Sequence, residues 1–116
     1  MPLNVYYLDD EPDLCENFLD TFNSADIKVT TFIDPQEAVK AIKNSPPDLL
    51  FLDYRLPGTN GDKVAQSLDP KIPKFLVTGD MEVQTAYKFI RIFSKPFKEE
   101  ELVSLLSRYK SGLRAA

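Results

Sequence analysis

Short apolar runs alternate with stretches of helical spacing along almost the whole chain, and this alternation leaves few folds open. Val5-Tyr6-Tyr7-Leu8, Ile27 to Phe32, Leu49-Leu50-Phe51-Leu52, Phe75-Leu76-Val77 and Phe89 to Phe93 read as strands. Between the first two, Leu14, Phe18, Leu19 and Phe22 recur at helical spacing. A second helix opens at Asp34-Pro35-Gln36-Glu37, where Asp34 caps, Pro35 sits in the first turn and Glu37 can reach back; its inner face is Ala38, Ala41 and Ile42, and Pro46-Pro47 stops it. After Pro57-Gly58 and Asn60-Gly61, which mark a loop, a short third helix carries Val64, Ala65 and Leu68. A weak fourth helix is expected from Met81 to about Tyr87, and a last one from Glu100 to Tyr109, with Leu102, Leu105, Leu106 and Tyr109 inward. Ser111 to Ala116 shows no pattern. Strands that are apolar throughout and separated by helices make a parallel sheet covered on both faces, of the doubly wound α/β type.

A chain of 116 residues holds one domain, with hydrophobic residues at 43%, enough for a core. The expected division is a domain over 1–110 and a tail or start of a linker over 111–116. The net charge of -4 disfavours non-specific grip on nucleic acid or an anionic membrane. With no His, triads, His general bases and the commonest metal ligand are excluded, and Cys15 has no partner for a disulfide or a thiolate metal site. The start of the chain lacks the basic, then apolar, design of a signal peptide, and no run approaches a membrane span of about 20 residues. A soluble, cytoplasmic protein is the expectation.

What ends each strand is the functional signal. The first runs into Asp9-Asp10, the third into Asp53, the fourth into Thr78, the fifth into Ser94-Lys95. In a parallel sheet all carboxyl ends share one edge, where open α/β sheets bind ligands. Three carboxylates, a hydroxyl and an ammonium should therefore converge. Crowded carboxylates repel, and a hard cation with oxygen ligands, Mg²⁺, relieves that while also binding phosphate. A carboxylate can serve as nucleophile and form an acyl phosphate, whose charge the metal, Lys95 and Thr78 would share. Plainer roles exist for each residue alone: Asp10 can cap the first helix ahead of Pro12, and Asp53 can be an ordinary strand-end turn residue.

The ordered set Leu8-Asp9-Asp10-Glu11-Pro12, Pro47 to Asp53, Leu56-Pro57-Gly58, Asn60-Gly61, Val77-Thr78-Gly79 and Ser94-Lys95-Pro96-Phe97 resembles the response-regulator receiver family, from about Asn4 to Tyr109. The resemblance implies a flavodoxin-like five-stranded sheet in order 2-1-3-4-5. It implies Asp53 as phosphoacceptor, Asp10 as a direct Mg²⁺ ligand, Asp9 as its water-mediated partner and the Arg55 carbonyl as a further ligand. It implies Thr78 and Lys95 as the groups that hold the phosphoryl oxygens, and a cis peptide before Pro96. As partners it implies a sensor histidine kinase or phosphotransfer protein, with homodimer formation on phosphorylation, and no direct nucleic-acid or membrane binding.

The chain departs from the family pattern at two places. The aromatic switch position three residues before the lysine is Ile92, and Phe93 should face the other way. The connections from Asp53 to Thr78 and from Thr78 to Lys95 are both short, so the third and fourth helices should be stunted. Three rival readings are a haloacid-dehalogenase-type phosphatase, a flavodoxin and a phosphorylation-independent binding module. The first needs a second Asp two places after the nucleophile, where Arg55 stands, and the second a hydroxyl- and Gly-rich loop where Asp9-Asp10-Glu11 stands. Ile92 keeps the third open. The domain is expected to assist its own phosphorylation and dephosphorylation without turning over an external substrate as an enzyme. Arg55 and Asp80 are expected to pair across the mouth of the pocket as a partial lid.

Overall fold

The computed structural model describes residues 2–80 and 82–115. The main sheet is built from β1 (Leu3–Leu8), β2 (Ile27–Phe32), β3 (Leu49–Asp53), β6 (Lys74–Thr78) and β7 (Arg91–Ser94), all parallel, in the order β2-β1-β3-β6-β7. Taken in chain order that is 2-1-3-4-5, as expected. β4 (Arg55–Leu56) and β5 (Thr59–Asn60) form a small antiparallel hairpin turned by Pro57-Gly58, where Gly58 takes φ +71, a conformation glycine adopts without penalty.

Helices α1 (Pro12–Phe22) and α4 (Glu99–Ala115) cover one face; α2 (Pro35–Asn44) and α3 (Gly61–Gln66) cover the other. Strand alternation sorts the side chains. Val5, Tyr7, Phe51, Phe75, Val77 and Phe93 face α1 and α4, while Leu8, Leu50, Leu52 and Leu76 face α2 and α3. α2 starts as read: the Asp34 carboxylate accepts from the Glu37 N–H at 3.0 Å, with Pro35 in the first turn. α3 is a six-residue stub, capped by Asn60 through the Lys63 N–H at 2.8 Å.

Two expectations fail. The fourth helix does not form over the described residues; Met81 lies outside them. From Glu82 to Ile90 the residues alternate between exposed and half-buried, so Val83, Thr85, Tyr87 and Phe89 turn inward every second position. A helix would scatter these residues around its circumference; an irregular strap lays Val83, Tyr87 and Phe89 on the sheet face they help to cover. The strap is fastened. The Asp62 carboxylate accepts from the backbone N–H groups of Ala86 at 2.9 Å and Tyr87 at 2.8 Å, and the Tyr87 hydroxyl lies 3.0 Å from Lys74 Nζ. Lys74 is only 1% exposed, and its ammonium also donates to the carbonyls of Asp69 at 2.6 Å and Ile72 at 3.2 Å. The second correction is at the far end. The patternless stretch from Ser111 continues α4 to Ala115, because no stop follows Tyr109 and an isolated helical glycine, Gly112, costs only about 1 kcal/mol.

Candidate functional site

The carboxyl ends of β1, β3 and β6 and the turn after β7 meet at one edge of the sheet. Asp9, Asp10 and Asp53 each present a carboxylate oxygen, and these lie within 4.8 Å of one another. Asp9 is fully buried and Asp53 nearly so, whereas Asp10 is exposed. An open cleft of about 530 Å³ is lined by Asp10, Glu11, Asp53, Arg55, Thr78 and Lys95, together with Gly79 and Asp80. The expected site residues are therefore brought together, Asp9 from behind the wall rather than from within it.

Lys95 is the hub. Its ammonium lies 2.8 Å from Asp9 Oδ2 and 3.0 Å from Asp53 Oδ1, with Glu11 farther off at 3.8 Å. Burial alone would lower the Lys95 pKa, but its hydrogen bonds to Asp9 and Asp53 outweigh that and hold it above its ordinary value. Burial raises the Asp53 carboxyl from its ordinary 3.8 to about 6; Lys95 counteracts this and the negative Asp9 adds to it. The Lys95–Pro96 peptide is cis, as the resemblance implied.

Asp10 does not cap α1. The N-cap is Glu11, with no side-chain cap bond, and Asp9 Oδ1 accepts from the Glu11 N–H at 3.0 Å instead. The Asp10 carboxylate thus remains open to the cleft. Cys15 stays buried behind the site, where burial pushes its thiol up to about 11.

Thr78 is 2% exposed, and its hydroxyl accepts from the Asp80 N–H at 3.0 Å, closing a tight turn at the end of β6. Ile92 is half-buried among the residues under the strap, while Phe93 lies on the opposite face, as the strand period requires. Among the described residues no Arg55–Asp80 ion pair forms: the Asp80 carboxylate accepts from the Glu82 N–H at 3.0 Å and Arg55 is exposed. The expected lid is absent because a local turn occupies its acidic half.

A model of the response regulator receiver domain matches residues 5–107. The chain belongs to the response regulator receiver family. Among curated relatives it is 28% identical to the C4-dicarboxylate transport transcriptional regulatory protein DctD of Rhizobium meliloti, over 96% of this chain and 26% of that protein. It is also 28% identical to the DNA-binding response regulator MtrA of Mycolicibacterium smegmatis, over 98% of this chain and 52% of that protein. The chain thus spans from about a quarter to about half the length of these receiver-containing relatives. Among solved structures, the signal receiver domain of an HD domain-containing protein from Pseudomonas fluorescens superposes with TM-score 0.86 at 16% identity, covering 100% of both chains. The chemotaxis response regulator CheY4 of Vibrio cholerae superposes with TM-score 0.83 at 21% identity, over 94% of this chain and 99% of that one. At these identities the superpositions establish the receiver fold.

Two functional features escaped the sequence reading. Tyr7, read only as strand, donates its hydroxyl to Asp9 Oδ2 at 2.8 Å; burial, reinforced by the negative Asp9, holds its own pKa far above the ordinary value. Spacing carried that signal, since residues two apart on a strand share a face. Gly61 was read as a loop marker, but a Cβ there would strike the carbonyl oxygen of Asp53 and come within 2.9 Å of the Leu76 side chain.

Proposed function

We propose that Asp53 is the phosphoacceptor of a two-component relay, taking a phosphoryl group from the phosphohistidine of a sensor kinase or phosphotransfer protein in the cytoplasm. One observation carries this reading: a buried carboxylate at a strand end, 3.0 Å from a lysine ammonium, with two further carboxylates within 4.8 Å and a cleft opening onto Asp53 and Asp10. All-oxygen donors without His or Cys suit Mg²⁺, which Asp9, Asp10, Asp53 and the Arg55 carbonyl would hold, Asp9 through water. When bound, Mg²⁺ supplies positive charge to the phosphoryl oxygens.

The residues divide the work. An Asp53 carboxylate oxygen attacks phosphorus, the phosphorus–nitrogen bond to the donor imidazole breaks, and its electron pair leaves with the imidazole. Lys95 follows the developing charge, already desolvated and within reach. Thr78 donates its hydroxyl to a phosphoryl oxygen, which requires it to give up the hydrogen bond that it now donates to the Asp80 carbonyl at 3.3 Å.

That exchange supplies the switch in place of an aromatic ring at Ile92. Releasing Asp80 frees the start of the strap, whose outer residues then present a changed surface to a downstream protein or a second copy of the chain. Residues 1–110 form the receiver unit in this reading, with 111–116 beyond it. The unit assists its own phosphorylation and dephosphorylation and processes no other substrate.

Beryllofluoride with Mg²⁺, followed by amide chemical shifts, tests the reading. Saturable shifts at Asp53, Thr78 and Lys95 that spread into 79–90 are expected, and none in Asp53→Asn. Shifts confined to the loops after Asp10 and Asp53 would refute the proposed switch, and equal shifts in Asp53→Asn would refute the acceptor.

A further inference from the structure

Asp9 is the most deeply buried carboxylate at the site, and its four lone-pair positions are nearly all spoken for. Oδ2 faces Lys95 Nζ at 2.8 Å and the Tyr7 hydroxyl at 2.8 Å; Oδ1 accepts from the Glu11 N–H at 3.0 Å. The donors come from three places: β1 itself, the turn into α1 and the turn after β7. One position on Oδ1 is left for a cation or its water.

Tyr7 is the only one of these donors whose direction is fixed by a core. Its ring stacks on Phe18 with centroids 4.3 Å apart and planes 8° from parallel, and it is 1% exposed. Tyr7 stands on β1 two residues before Asp9, which follows the end of the strand, and its hydroxyl reaches that carboxylate directly. Lys95, by contrast, divides its ammonium between Asp9 at 2.8 Å and Asp53 at 3.0 Å.

We infer that Tyr7 is a positioning residue for the Mg²⁺ site: by occupying Asp9 Oδ2 it holds the carboxylate in the one orientation that turns the free edge of Oδ1 to the cation. This deepens the phosphoacceptor reading and rests on it. Without the hydroxyl, Lys95 alone holds Oδ2, the carboxylate can rotate about its Cβ–Cγ bond, and orientations that do not serve the cation compete. Partners that orient a ligating group typically change metal affinity by about 10–100-fold when removed.

The test is Tyr7→Phe, which deletes one oxygen and keeps the ring on Phe18. Calorimetric titration with Mg²⁺ alone should show the dissociation constant rising about tenfold. In acetyl phosphate reactions the Mg²⁺ concentration for half-maximal rate should rise in step, with the plateau rate changed by less than about twofold, because bound metal restores the orientation. Phe18→Leu is the control for loosened packing: it should lower the denaturation midpoint and leave Mg²⁺ affinity alone. Unchanged Mg²⁺ affinity in Tyr7→Phe, or an equal loss in Phe18→Leu, overturns the positioning role while leaving the acceptor assignment standing. Failure of the wild-type chain to bind Mg²⁺ or to be phosphorylated overturns the acceptor reading and this one with it.

Discussion

Asp53→Asn should make the metal-free protein more stable at neutral pH, although it removes an ion pair. The buried carboxyl titrates at about 6 rather than 3.8, so the folded state holds its proton where the unfolded chain has released it. Stability therefore falls as pH rises between about 4 and about 6, and the full penalty stands above that window. A gap of this size corresponds to roughly 3 kcal/mol at pH 7. The asparagine leaves Lys95 paired with Asp9 at 2.8 Å, so the ammonium is not orphaned, but the 3.0 Å contact to Asp53 loses its charge. The shift to about 6 is already net of the pull of Lys95, so a gain of roughly 2–3 kcal/mol is expected at pH 7.5. Urea denaturation in a chelator, across the acidic and neutral range, measures it. The variant's advantage should shrink to nothing below about pH 4, and Mg²⁺ should stabilise the wild type more than the variant. A variant less stable than wild type at neutral pH, or an advantage that does not change with pH, would refute the account of a desolvated, charge-crowded carboxylate.

Gly61→Ala should destabilise by about 1–3 kcal/mol and slow acetyl phosphate labelling, because the new methyl displaces the Asp53 carbonyl; matched urea curves and labelling rates check both. Asp62→Ala removes a carboxylate that accepts two backbone N–H groups of the strap, costing about 1–2 kcal/mol. Its signature should be faster amide exchange confined to residues 82–90, and exchange unchanged there would show that the strap is held by packing alone.

Asp9, Asp53 and Thr78 were legible because each follows an uninterrupted apolar run: Leu49 to Leu52 must be buried on both faces, so Asp53 must emerge at the carboxyl edge. The Asp34-Pro35-Gln36-Glu37 motif placed the α2 cap, while the sheet order came from the family resemblance. The strap was misread as a weak helix although Val83, Thr85, Tyr87 and Phe89 stand two apart, a strand-like period. Lys74 was not foreseen at all. A lysine at the start of a strand reads as exposed, and only the folded chain brings the Asp69 and Ile72 carbonyls and the Tyr87 hydroxyl around its ammonium. Tyr7 and Gly61 were visible as letters, but their roles depend on distances that no local pattern encodes.

The central claim is that Asp53 takes the phosphoryl group. Incubation with acetyl phosphate and Mg²⁺, read by intact mass and then by peptide mapping, tests it most directly. The wild-type chain should gain one phosphoryl group located on Asp53, the gain should vanish when Mg²⁺ is chelated, and Asp53→Asn should gain none. No uptake by the wild type, or undiminished labelling of Asp53→Asn, would contradict it.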